Sequence, residues 1–514
     1  MEKKDGYKLK FSVKHLVWSI ALFNFLIHFL VINNLEYMRD ELLYFSMGNH
    51  PAAGYATTPP LVGLLAGLLQ LIAGNSLFAV RLLPTIFSAL IVIITAEIAK
   101  ELGGKSWAIF LAALGALVAP SFLRAFMMFQ PVFLDIFFWA CLFYLFIKYI
   151  NSGKDFYLVC FGILSGLAML NKYLVLMLIA AVLVFLPFSP YRNVYRKKQF
   201  YFGMGAGFLI FLPNLIWQIL NNFPVLGHMS KLHDTQLVHV DRASFLIDQV
   251  LSPFSASLLI IPGLIFLLAD KEMRKFRLIG VMIIAIDLIL CLLKAKSYYA
   301  FGVFPVLIAA GAVYWEQKLK RKSILVALMV IMITISLPIL PLSLPIYNAQ
   351  GLTKYFSNME KATGLTIGRR FEDGSIHSLP QDYADMIGWE ELTSVTAKAW
   401  QKVENKNCAL IYCENYGHAG AITVIGKKYN LPEPVCFHDA FKSWLPDTLA
   451  CEINEFIYIN DELGEDVAQL FGSVEKIGAI TNVDAREFGT SVYLCKNPHS
   501  SFNKFWYGRI KELD

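Results

Sequence analysis

Charge is scarce in this chain of 514 residues: Asp, Glu, Lys and Arg make up 16% of it, against 56% hydrophobic residues. Soluble domains carry about 25% charged residues, so an ordinary soluble protein is excluded and a membrane composition is left. The basic start MEKKDGYKLK is followed by an apolar run without a small-residue cleavage site. That run reads as a retained anchor rather than a signal peptide. Neither a low-complexity tract nor a clear internal repeat is present. His228, His233 and His239 lack the spacing of a zinc site, and Gly417 and Gly420 lack that of a dinucleotide fingerprint. Cysteines number eight. Cys141, Cys160 and Cys291 fall in apolar runs and read as small core residues. Cys408, Cys413, Cys436, Cys451 and Cys495 fall in the tail. Disulfides there suit an oxidising compartment, but spacing does not settle the pairing of five.

The charges present are unevenly placed. Residues 1–346 hold 29 basic and 16 acidic residues; residues 347–514 hold 16 and 23. The tail has no run long enough to span, so a membrane domain (1–346) precedes a soluble one (347–514). Eleven spans are expected, at 11–33, 81–100, 106–123, 132–150, 156–170, 173–189, 200–220, 249–269, 277–293, 298–315 and 323–346. A bilayer core of about 30 Å needs ~20 apolar residues per helix. The run 59–74 is a twelfth candidate, and charge decides against it. With eleven spans, 21 of the 29 basic residues lie in cytoplasmic segments, as the excess of Lys and Arg inside requires. If 59–74 crossed, the inside would hold 12 and the outside 17. The segment 34–80 is then one outer loop, with 59–74 lying on the surface or re-entering it. The N-terminus is inside and the tail outside.

On this topology the outer face collects charges of both signs: Asp40, Glu41, His50, Arg81, Arg124, Asp135, Lys172, Lys294 and Lys296. Ionisable residues near lipid are costly and mark functional sites. Such a face suits a substrate that is half lipid, a sugar on a polyprenyl phosphate. Cations would neutralise the leaving phosphate, and a carboxylate would take the proton of the acceptor. Tyr298 and Tyr299 would pack on sugar or prenyl groups and offer hydroxyls.

Several motifs carry a resemblance, in order along nearly the whole chain: RDE after the first span, HPAAGYATTPPL, FAVRLLP, FLD opening a span, NLIWQ, KSYY before VFPVL, ADMIGWEEL and NYGHAGAITVIGKKYNLPEP. Together they resemble the GT-C glycosyltransferases of the protein-mannosyltransferase and aminoarabinose-transferase-like group, and bacterial members in particular. The resemblance implies a polytopic α-helical enzyme of the bacterial inner membrane with an outer α/β domain. It transfers a sugar from a polyprenyl-phosphate donor to lipid A, another glycolipid, a glycan or a protein, with inversion. Asp40 maps to the catalytic base, Asp135 to the same cavity, and Lys172, Lys294 and Lys296 to the phosphate site. Relatives carry an acid or His before the double proline, where this chain has Thr57 and Thr58. No cofactor is certain, and a divalent metal stays open. Membrane lipid is a partner; nucleic acid is not.

Each residue also has a plainer reading. Asp40 suits a helix N-cap, Glu41 a first-turn acid favoured by the helix dipole, and Asp135 a cap after Pro131. Lys294 and Lys296 suit snorkelling anchors, Arg81 and Arg124 interface anchors, Lys172 a turn and His50 a loop. In the tail CALIYCEN, EPVCFH, EFIYIN and TSVYLCKN read as strands, and HAGAITVIGKKYN and DELGEDVAQLFG as helices, which makes a small α/β domain. The rival function is a transporter or flippase of a lipid-linked glycan, a class built from paired repeats and broken helices; a non-catalytic envelope subunit is a third.

Overall fold

The computed structural model describes residues 12–512 except 236 and 367. Six of its helices are long and apolar enough to cross a membrane: Val13–Val31 (α1), Leu77–Glu101, Pro131–Ser152, Lys198–Leu220, Ser297–Lys318 and Lys322–Ser343. The other apolar runs are shorter or broken. Arg242–Leu251 and Phe254–Ala269 form a pair bent by 86°, and Ser106–Leu117, Phe156–Met169 and Val175–Phe188 are short apolar helices. Proline is the physical reason in three of these runs. It lacks the N–H of the helical ladder and disfavours helix at the residue before it. The run 106–123 breaks ahead of Pro120, the run 249–269 at Pro253, and the run 173–189 turns 3-10 at Pro187. A hydropathy window passes over each break unchanged.

Broken backbone is tolerated at membrane depth only where protein satisfies it, and here two breaks serve each other. Ser121 N–H donates to the Ser252 carbonyl (3.0 Å). The Ser255 and Ser336 hydroxyls both reach the Val118 carbonyl, at 3.4 and 3.3 Å. Neighbouring helices approach through glycine. A Cβ on Gly311 would strike the Leu259 carbonyl, and one on Gly162 would strike Gly203, the small-residue contact that membrane helices use to pack backbones closely.

The tail folds around a four-stranded sheet of order β1-β2-β4-β3: β1 Ala409–Cys413, β2 Glu455–Asn460, β3 Phe471–Ala479 and β4 Ser491–Pro498. β1 and β2 are parallel, with Ile411 opposite Ile457; β4 runs antiparallel to β2 and to β3. The strand expected at EPVCFH is reduced to one bridge between Val435 and Tyr412. β3 was not expected: much of it is exposed, so it lacks a buried apolar run. Cys408 and Cys451 form a disulfide, while Cys413, Cys436 and Cys495 are free and buried.

The segment 34–80 meets the tail. Leu61–Ala73 (α3) has 13 residues, about 20 Å at 1.5 Å per residue, which is short of a span. Thr57 before it donates to Asp439 (2.7 Å), and Asn75 after it donates to the Val424 carbonyl (2.9 Å). The tail therefore touches the chain on both sides of this helix. Leu64, Leu68, Leu71 and Ile72 remain exposed on one side of it, an interfacial face. The basic loops gather at the other end of the helical domain, where Lys148 pairs with Glu101, Lys197 with Asp155 and Lys318 with Asp270. A cysteine at Ala73, which is exposed, will react with an impermeant thiol reagent on the side of the tail domain. Labelling from the opposite side alone would contradict this topology.

Candidate active site

Helix Arg39–Ser46 (α2) starts just after α1, and its cap is Met38, not Asp40. Met38 N–H donates to Glu41 Oε2 (2.8 Å), and Asp40 N–H meets the Met38 sulfur (3.1 Å). Asp40 is thus left without a capping role. It is half-buried. Its Oδ1 accepts from the Tyr416 hydroxyl of the tail (2.9 Å) and its Oδ2 faces Gln130 Nε2 (3.4 Å). Burial raises its pKa, against the Tyr416 hydrogen bond and the Arg39 charge, while Asp382 and Asp439 add to the rise. A carboxylate shifted in this way is a better proton acceptor.

Glu41, one residue on, points the other way. It is fully buried and accepts from Arg81 Nε (3.2 and 3.1 Å), Arg81 Nη2 (2.8 Å) and Phe129 N–H (2.8 Å). Arg81 spends its remaining donors on the carbonyls of Ile32 (2.9 Å), Leu35 (3.1 Å) and Glu36 (2.6 Å). The expectation that Glu41 and Arg81 serve the outer-face site is therefore corrected: each satisfies the other, and together they pin the first loop to Leu77–Glu101 (α4).

The helix Pro131–Ser152 carries the second acid. Its cap position is Gln130, so Asp135, a turn further on, does not cap it. Asp135 is 4% exposed and its Oδ1 has no hydrogen-bond partner. Lys172 is the positive charge that Asp135 feels. Asn171 beside it donates to the Pro131 carbonyl (2.9 Å) and ties the Lys172 turn to this helix end. The Lys172 ammonium stands over the rings of Tyr298 (4.9 Å) and Tyr299 (4.5 Å), a cation–π arrangement. Tyr44 of α2 lies within electrostatic reach of Asp40, Asp439 and Tyr299. Electrostatic neighbours thus link Asp40, through Tyr44 and the tyrosine pair, to Lys172 and Asp135.

Other candidates have partners of their own. Lys296 pairs with Glu372 of the tail (3.0 Å), and Lys294, at a left-handed φ of 52°, reaches the Val238 carbonyl (3.3 Å). Two lysines expected to act as a pair are thus held by different partners. Arg124 is paired with Asp382 and lies 5.8 Å from the Tyr383 ring. His50 stacks on Trp444 at 4.2 Å and meets Glu433 at 3.2 Å, a docking contact rather than a ligand.

Sequence reasoning missed Tyr416, Gln130, Tyr44 and Asp439 as neighbours of Asp40. Tyr416 lies in a motif already noticed, and the glycines beside it now have a physical role. A Cβ on Gly417 or Gly420 would come within 2.8 Å of Arg39 Cγ or Leu42 Cβ, so glycine lets the helix Tyr416–Val424 lie against α2. Among the described residues, one group brings three metal-type ligand atoms within 4.8 Å of one another: His418, Asp461 and Glu487. It does not suit a cation. His418 Nε2 and Glu487 are bonded to each other (2.8 Å), and Arg39 stands 3.7 Å from the other oxygen. Burial alone would raise Glu487, but His418, Arg39 and Arg486 hold it at about 2.

The arrangement is the GT-C fold of membrane glycosyltransferases. ArnT from Cupriavidus metallidurans bound to undecaprenyl phosphate superposes with a TM-score of 0.62 at 14% identity, over 93% of this chain and 97% of that one. The apo form gives 0.60 at the same identity and coverage. Within that class, residues 57–217 match the dolichyl-phosphate-mannose-protein mannosyltransferase family. No curated protein sequence is significantly similar to the chain.

Proposed function

We propose that this protein is an inverting glycosyltransferase that moves a sugar from a polyprenyl-phosphate donor to an acceptor hydroxyl at the outer face of a bacterial inner membrane. The N-terminus is cytoplasmic and the tail periplasmic. The acceptor is a glycolipid such as lipid A, a glycan or a protein. Asp40 takes the proton of the attacking hydroxyl as the new C–O bond forms. The bond from the anomeric carbon to phosphate breaks on the opposite side, and polyprenyl phosphate leaves with the electron pair. Lys172 offsets the charge that grows on that phosphate, and Asp135 orients Lys172. Tyr298 and Tyr299 hold the lysine from below and border the donor.

One observation carries this reading: the half-buried carboxylate of Asp40, held by Tyr416, lies with Tyr44 within electrostatic reach of the Tyr298–Tyr299 pair over which the Lys172 ammonium stands. The purified protein in lipid discs will release polyprenyl phosphate from a donor with a labelled sugar only when acceptor is present. Movement of the intact lipid across a bilayer without release would support a flippase instead.

Lys172→Met will weaken donor binding and slow transfer together, because phosphate is charged in the ground state and more so as it leaves. A hydrogen bond to a charged group is worth ~1.5–3 kcal/mol, so catalytic efficiency will fall roughly tenfold to a hundredfold. Unchanged donor affinity would return the phosphate site to Lys294 and Lys296.

A further inference from the structure

We propose that Tyr416 is a positioning residue for Asp40: the tail domain supplies the hydroxyl that fixes the base of the membrane domain, so the active site is complete only when the tail is docked. This rests on the reading of Asp40 as the base. The contact spans 376 residues of sequence, with Tyr416 Oη donating to Asp40 Oδ1 at 2.9 Å. Tyr416 opens the helix Tyr416–Val424, and the side chain of Asn415 caps that helix by accepting from the N–H groups of Gly417 (2.9 Å) and His418 (3.1 Å). The Arg39 guanidinium lies 4.6 Å from the Tyr416 ring centre, and its charge is answered by Glu487 at 3.7 Å, itself bonded to His418 at 2.8 Å. Ring, cap and ion pairs together leave the hydroxyl little freedom of direction.

The consequence for Asp40 is directional. With Oδ1 engaged by a donor and Oδ2 at 3.4 Å from its hydrogen-bond partner among the described residues, Gln130, the carboxylate presents Oδ2 to an incoming hydroxyl. Tyr416 keeps its proton, since burial, with Asp40 beside it, raises its pKa well above the ordinary value. The other charged or titratable groups that face Asp40 are Arg39, Asp382, Asp385 and Asp439, with Tyr44 and Tyr298. A hydrogen bond donated to a carboxylate favours the ionised form. Its loss therefore raises the pKa of Asp40, which moves the acid limb to higher pH, and frees the carboxylate from its fixed direction, which slows transfer even where the base is ionised.

Tyr416→Phe in the full-length protein tests this, because it keeps the ring beside Arg39 and removes one oxygen. Turnover will fall roughly tenfold, in keeping with a hydrogen bond to a charged group. The KM for donor will stay the same, and the acid limb of the pH profile of kcat/KM will move to higher pH. Combined with Asp40→Asn, the variant will lose no more than Asp40→Asn alone, because one residue acts through the other. Unchanged turnover and an unmoved acid limb, with Asp40→Asn inactive, would overturn the role of Tyr416 and leave the base in place. A fall in turnover with a matching rise in KM and no shift of the limb would reduce Tyr416 to a structural contact. An active Asp40→Asn would overturn both readings.

Discussion

Asp40→Asn will lower turnover by ~10²–10⁴-fold, the usual loss when a general base is removed, and leave donor affinity nearly unchanged. The substitution keeps the size of the side chain and an oxygen for Tyr416 to bond, so α2 and the docked tail will stay in place. The amide cannot take a proton, and the attacking hydroxyl must then lose it to water. Donor binding is insulated because the cation assigned to phosphate, Lys172, is mounted on Tyr298 and Tyr299 rather than on Asp40. Single-turnover release of polyprenyl phosphate, beside equilibrium binding of the donor, separates the two effects. Full activity in a correctly folded Asp40→Asn protein would sink the central mechanistic claim.

Arg81→Met will give the largest loss of stability. Arg81 and Glu41 are both buried almost completely, 1% and 0% exposed. Removing one partner of a buried pair leaves an uncompensated charge and costs about 3–5 kcal/mol, against a total of about 5–15 kcal/mol for a typical protein. Here it also strips donors from the carbonyls of Ile32, Leu35 and Glu36, which hold the start of the first loop. The variant will accumulate poorly in membranes and melt at lower temperature. A stable Arg81→Met protein that had lost only donor affinity would instead restore Arg81 as a phosphate ligand.

A large part of the molecule can be argued from composition and charge. The scarcity of charge requires a membrane protein, and the asymmetry of Lys and Arg ranks topologies by counting alone. The same count favours a 59–74 run that does not cross, and Thr57 and Asn75 on either side of its helix both bond to the tail. The buried strands β1, β2 and β4 announce themselves as apolar runs, because burial on both faces leaves that trace in sequence.

Other features depend on what the chain meets in space. Asp40 and Glu41 are adjacent acids in one helical turn, and sequence cannot separate them. Successive side chains in a helix point about 100° apart, so one faces the tail and the other Arg81, and only the packing of α2 decides which is which. Lys294 and Lys296 read as a pair for the same reason, yet their different neighbours, Val238 and Glu372, set them apart. Apolar runs became broken helices because proline acts on the backbone, which hydropathy does not register. The environment of Asp40 was the least legible of all, since Tyr416 reaches it across 376 residues, and no local pattern records a contact made by docking one domain on another.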